Sequence, residues 1–132
     1  MKKILFFISF SIFVVIAATA QTNLTFKASS IVGKWQGTSI CQLKNSSCHD
    51  EIAVYHFTKA KGDNIFNVQG SKVVNGIEED MGTLVFRFDA KTNQLISNNY
   101  GNWVFNVKDK TMDGTLTEHG RLFRVIKLTK QE

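Results

Sequence analysis

From Ile31 to its last residue the chain is a succession of short runs in which apolar and polar residues alternate, each closed by a turn pair or a small polar loop. No window sustains the period of about 3.6 residues that an amphipathic helix needs, so pleated strands are the element this pattern supports. Proline is absent, so no strand lacks a backbone donor.

Eight strands are predicted. They run from Ile31 to Cys41, Glu51 to Lys59, Ile65 to Val74, Ile77 to Asp89, Gln94 to Tyr100, Trp103 to Val107, Thr111 to Thr117 and Arg121 to Thr129. Asn75-Gly76 is the strongest turn signal, because both residues tolerate the positive φ of a type I′ hairpin. Every connection is short, so each strand is expected to pair antiparallel with the one before it. Twisted strands in such number curl, and joining the first to the last removes both exposed edges. The expected class is therefore all-β, an antiparallel eight-stranded up-and-down meander barrel. The alternative is a two-sheet β-sandwich, which calls for longer connections crossing between sheets.

The first twenty residues stand apart from this pattern. Lys2 and Lys3 give a positive start, Ile4 to Ala17 is almost wholly apolar, and Ala18-Thr19-Ala20 is a small-residue cleavage site, the layout of a signal peptide. The domain organisation expected is a signal peptide over 1–20, a polar lead-in over 21–30 carrying Leu24 and Phe26, and a barrel domain over 31–132. No cysteine adjoins the cut, so a lipid anchor on the new N-terminus is not expected. The apolar stretch is short for a membrane span of about 20 residues, and no transmembrane segment is expected after cleavage. Localisation is read as secreted or periplasmic.

Cleavage leaves 112 residues, enough for one domain with a single core. Losing Lys2 and Lys3 from the sixteen basic residues leaves fourteen against eleven acidic ones, a net charge of +3. The positives are scattered rather than gathered into a stripe, which argues against nucleic acid as a partner. Cys41 and Cys48 flank a polar loop in the exported part, and in an oxidising compartment they read as a disulfide worth about 2.5 kcal/mol on the chain-entropy model. The run Cys48-His49-Asp50-Glu51 offers metal-ligating side chains, but its spacing from Cys41 matches no zinc pattern, so neither metal nor cofactor is expected.

Gly33-Lys34-Trp35 on the first strand, with an arginine on the last, resembles the lipocalin-like barrels of the calycin group, here in a compact bacterial secreted form. The resemblance implies that Trp35 lies across the closed end of the barrel and that a basic side chain near the C-terminus packs over it. Arg124 is matched to that role, with Arg121 as the fallback one register step away. Gly33, Trp35 and Arg124 are thus assigned to structure.

Inward-facing positions are expected to include Trp35, Tyr55, Phe57, Leu84, Phe86, Phe88, Trp103, Phe105, Met112, Leu116, Leu122 and Ile126. Of these, Tyr55, Phe57, Phe86, Phe88, Trp103 and Phe105 are the candidate ligand-binding residues. Asn67, Gln69, Asn99 and Glu118 are candidates for polar groups turned inward, which a ligand would satisfy. Catalysis is not expected: no Gly-x-Ser-x-Gly elbow and no His-Glu-x-x-His pair occurs, Glu78 to Asp80 read as a solvated edge, and His56 alternates with Ile52 and Val54. Two functions fit. The first is a non-enzymatic barrel that binds a small apolar or amphipathic molecule at its open end. The second is a filled barrel that binds a protein or cell-envelope component through its loops or outer face.

Overall fold

The structure is a computed structural model that describes residues 26–132. The expected signal peptide, and the lead-in up to residue 25, lie outside the described residues. A single 3-10 turn, Ala28–Ile31, precedes eight strands. These are β1 (Gly33–Cys41), β2 (Glu51–Lys59), β3 (Ile65–Val74), β4 (Ile77–Asp89), β5 (Gln94–Ser97), β6 (Asn102–Lys108), β7 (Thr111–Glu118) and β8 (Arg121–Lys130). Each pairs antiparallel with its predecessor and β1 closes on β8, so the sheet is a closed up-and-down barrel and not a sandwich. Asn75 and Gly76 take φ of 51° and 80°, the two left-handed positions that a type I′ hairpin demands.

Pairing register fixes which side chains enter the barrel. Trp35, Gly37 and Ser39 lie opposite Tyr55, Ala53 and Glu51 of β2; Phe66, Val68 and Gly70 lie opposite Phe86, Leu84 and Gly82 of β4. Trp35, Phe57, Phe66, Phe86, Leu95, Phe105, Met112 and Ile126 are fully buried and fill the interior from the Trp35 end upward. Edge-to-face or tilted contacts link Trp35 to Phe57, Phe57 to Phe86 and Phe86 to Phe105, at centroid separations of 6.5, 6.1 and 5.6 Å. Such pairs contribute about 0.5–1.5 kcal/mol each beyond the area they bury.

Three expectations about faces need correction. Asn67 and Gln69 alternate with Phe66, Val68 and Gly70, and they point outward and are exposed. β5 ends at Ser97, so Asn99 leaves the ladder and instead accepts a hydrogen bond from the Val85 amide at 3.0 Å. Leu122 shares the inward parity of Arg124 but sits at the rim, beyond the register shift at Leu116/Thr117, and is exposed.

The Trp35 end is closed by packing. The indole N–H of Trp35 donates to the Ile31 carbonyl at 2.8 Å, and Phe26 meets Phe88 edge-on at 6.1 Å. The basic side chain over Trp35 is Lys130, whose ammonium lies 5.7 Å from the indole and donates to the Ser30 carbonyl. Arg124, matched to that role from the sequence, pairs with Cys41 at the other end of β1, whereas Lys130 pairs with Trp35. The reason is direction: β8 runs antiparallel to β1, so its last residues face Trp35, and Arg124 stands about 20 Å further along the strand. Arg121 is farther still and exposed.

Candidate functional site: the open end of the barrel

Above Tyr55 the interior is not filled. A cavity of about 300 Å³ opens there, walled by Ser39, Glu51, Ala53, Tyr55, Gly70, Ser71, Met81, Gly82, Thr83, Leu84, Tyr100, Trp103 and Arg124. Its origin is a single cross-strand pair. At the two levels below, β3 and β4 contribute Val68 with Leu84 and Phe66 with Phe86, but at this level they contribute Gly70 with Gly82. A Cβ built on Gly82 meets nothing within 4 Å, and one on Gly70 stands 3.5 Å from the Tyr55 ring. Two missing side chains thus leave the space into which Tyr55 and Trp103 look.

Of the six aromatic residues anticipated for ligand contact, Tyr55 and Trp103 line this cavity. Phe105 stacks beside Trp103 at 6.5 Å and meets Tyr55 edge-on at 5.8 Å. Phe86 packs edge-on to Trp103 at 6.4 Å, so Phe86 and Phe105 support the two wall aromatics from behind. Phe57 and Phe88 lie deeper in the core, off the cavity wall. The rim is apolar and accessible, with Met81 58% and Tyr100 85% exposed.

Charge enters through Arg124, which is only 9% exposed. Its Nη1 donates to the Ser39 carbonyl at 3.3 Å, to Ser39 Oγ at 3.2 Å and to the His49 carbonyl at 3.1 Å. The same nitrogen lies 3.3 Å from a Glu51 carboxylate oxygen. A buried guanidinium needs such company, since an unpaired charge in an apolar interior is costly. The loop that supplies His49 is held by the Cys41–Cys48 disulfide and by the Cys41 amide donating to Asp50 at 2.9 Å. Tyr55 is buried beside this pair; burial pushes its hydroxyl pKa well above the ordinary phenol range, Arg124 pulls it back and Glu51 adds to the rise. The phenol therefore stays protonated and able to donate.

Sequence reasoning placed Arg124 on the inward face but at the wrong end; it weighed Glu51 only as a metal ligand and did not single out Ser39, Gly70 or Gly82 for the site. Two signals for them were available. Antiparallel closure dictates that the start of β8 meets the end of β1, and counting outward from Asn75-Gly76 brings Gly70 and Gly82 opposite each other once one bulge residue is allowed.

Among the described residues, no group of three or more His, Cys, Asp or Glu side chains is placed to hold a metal ion, and no helix is long and apolar enough to cross a membrane. No family model matches the chain, and no curated protein matches it. Among solved structures it is similar to the siderocalin Ex-FABP, with a TM-score of 0.53 and 12% identity over 79% of this chain and 71% of that one. With its closed eight-stranded barrel, the fold is lipocalin-like, of the calycin type.

Proposed function

We propose that this protein is an exported, non-enzymatic barrel that holds a small apolar or amphipathic molecule in the cavity at its open end. The observation that carries the reading is the cavity itself, about 300 Å³, lined by aromatic and aliphatic side chains, the hydroxyls of Ser39, Ser71 and Thr83, and one partly buried ion pair. Ligand sites are generally of this kind, mostly apolar with a few convergent polar groups. The fold supports it, and the structurally similar siderocalin Ex-FABP is described as functioning through dual ligand specificities. Tyr55 and Trp103 are the wall contacts, and Phe86 and Phe105 hold them in place. Export rests on the leader pattern of residues 1–20, and the disulfide is consistent with an oxidising destination.

Native mass spectrometry of the protein purified from its exported fraction tests this. A co-purifying mass that disappears in Gly70→Leu, where the new side chain occupies the cavity, is the expected result. A bare protein in repeated preparations, together with no uptake of apolar compounds from a mixture, refutes ligand holding and leaves the outer face and loops as the working surface.

A further inference from the structure

We infer that the closed end of the barrel carries a second binding site, one for a phosphorylated sugar, independent of whatever the open end holds. A hollow of about 720 Å³ lies there beside Lys130, the residue that covers Trp35. Four segments distant in sequence wall it: the lead-in at Phe26, Lys27 and Ser30, the β4–β5 turn at Asn93, the β6–β7 turn from Val107 to Lys110, and the end of β8 at Lys130. Backbone bonds fasten the last three together, from the Val107 amide to the Asn93 carbonyl at 2.9 Å and from the Lys130 amide to the Lys110 carbonyl at 2.8 Å. These walls are therefore built by the fold itself.

Lys27, Lys108, Lys110 and Lys130 are scattered along the chain yet converge on this hollow, whose lining includes one acid, Asp109. Of the four lysines only Lys110 has an ion-pair partner among the described residues, the exposed Glu132 at 3.6 Å. Residues 1–25 contain no Asp or Glu that could serve the others. Lys130 is also fixed in place, since its ammonium donates to the Ser30 carbonyl at 2.5 Å and stands 5.7 Å from the Trp35 ring. A concave surface lined by one sign of charge concentrates the opposite ion. The lining holds no arginine, whose planar fork suits a carboxylate, whereas ammonium groups act as point charges and are common phosphate binders.

Asn93 adds a second requirement. It lines the hollow, and its Oδ1 is buried without a hydrogen-bond partner among the described residues. Buried acceptors are normally satisfied. A phosphate held by lysines offers acceptors and not donors, so the occupant must bring a hydroxyl as well. Phe26, half-buried against Phe88, and Val107 give the hollow an apolar side, on which the C–H face of a sugar ring packs. Phosphate, hydroxyl and C–H face together describe a sugar phosphate, free or carried on a glycan.

An NMR titration of the mature protein with glucose 1-phosphate, glucose and inorganic phosphate tests this. Glucose 1-phosphate is expected to bind about tenfold tighter than either fragment, the size of one hydrogen bond at the strong end of the range. Lys108→Gln combined with Lys110→Gln, both at exposed positions, should weaken it by about tenfold or more, because hydrogen bonds to charged groups are the stronger ones. Lys44→Gln combined with Lys61→Gln removes the same charge outside the hollow, and should change binding by less than about twofold, since salt screens exposed charges that do not touch the ligand. Asn93 sits at φ 54°, so Asn93→Gly keeps the backbone conformation while deleting the amide. That variant should bind glucose 1-phosphate no better than inorganic phosphate, with phosphate binding itself unchanged. Gly70→Leu, which fills the cavity at the other end, should bind glucose 1-phosphate as the native protein does. Tighter binding of phosphorylated dextran, per phosphate, assigns the site to a glycan, and equal binding assigns it to a free sugar phosphate. Equal binding of glucose 1-phosphate and inorganic phosphate by the native protein, equal losses in the two lysine pairs, or no binding at all overturns the inference.

Discussion

Gly37 occupies the seam where the barrel closes, and replacing it by alanine should open that seam. It points inward on β1, opposite Leu128 of β8 and Ala53 of β2. A Cβ built there falls 1.8 Å from the carbonyl oxygen of Lys127 and 2.8 Å from its carbonyl carbon. Both atoms belong to the backbone, so no rotamer change relieves the contact. An acceptable carbon–oxygen approach is about 3.3 Å, and β1 and β8 must therefore separate locally by roughly 1.5 Å. Ladder bonds near their optimum do not survive such widening. Losing two or three of them, at about 1 kcal/mol each net, gives a destabilisation of about 3 kcal/mol. Against a total stability of about 5–15 kcal/mol for a domain of ordinary size that is a large fraction, and it corresponds to a fall in Tm of about 15 °C.

Urea unfolding followed by tryptophan fluorescence measures it, with the fully buried Trp35 as reporter. Gly70→Ala is the matched control, because its new methyl group makes only an ordinary 3.5 Å contact with Tyr55 and should change stability by less than about 1 kcal/mol. A loss under about 1 kcal/mol for Gly37→Ala, or one no larger than that of Gly70→Ala, refutes the close β1–β8 approach and with it the closed seam.

Two further outcomes concern the cystine and the outer face. Replacing Cys41 and Cys48 together by serine should cost about 2.5 kcal/mol on the chain-entropy model, and thiol labelling of the native oxidised protein should find no reactive cysteine. Glu78 accepts hydrogen bonds from His56 at 2.8 Å and from Lys34, and these two bonds, that from His56 foremost, hold its carboxyl below the ordinary carboxylate range. A depressed native pKa stabilises the fold in full above the unfolded value and loses that contribution as pH falls through the native one. The urea midpoint should therefore drop on acidification below the ordinary carboxylate range, and Glu78→Gln should show a smaller drop; an identical acid limb in the two proteins would exclude this contact as a contributor.

How far the fold could be read from the chain follows from which signals are local. Alternation in β2 and β4 and the turn at Asn75-Gly76 act over a few residues, so strand order and antiparallel pairing were legible without any tertiary information. Facial assignment in β3 was not, because Ile65, Phe66, Val68, Val73 and Val74 place apolar residues on both faces and Asn67 and Gln69 then fit either register. The end of β5 was equally hidden: nothing in Ser97 to Tyr100 announces that Asn99 abandons its neighbour to bind the Val85 amide. The position of Arg124 depends on the longest-range pairing in the molecule, that of β8 with β1. A resemblance resting on Gly33-Lys34-Trp35 indicated that some basic side chain covers Trp35, and only the closure register shows that it is Lys130.

The two ends of this barrel face opposite physical problems, and the distribution of residues follows from that. Around Trp35 the interior is packed, so Ile31, Phe57 and the Phe26–Phe88 contact stabilise the closed end through burial, with the hydrogen bonds of Trp35 to Ile31 and of Lys130 to Ser30 added to it. At the open end Gly70 and Gly82 leave space, and burial there cannot hold the strands in register. Polar and covalent restraints take its place: Arg124 bridges the Ser39 and Glu51 ends of β1 and β2 to the His49 carbonyl, and the cystine anchors the loop that carries that carbonyl. The loop is tied to β1 at Cys41, the residue directly across the seam from Arg124. A disulfide anywhere in the chain would restrain the unfolded state, but one at this position also fixes an acceptor for Nη1. By holding Nη1 on the wall, it keeps Arg124 in place where the core offers no packing to do so.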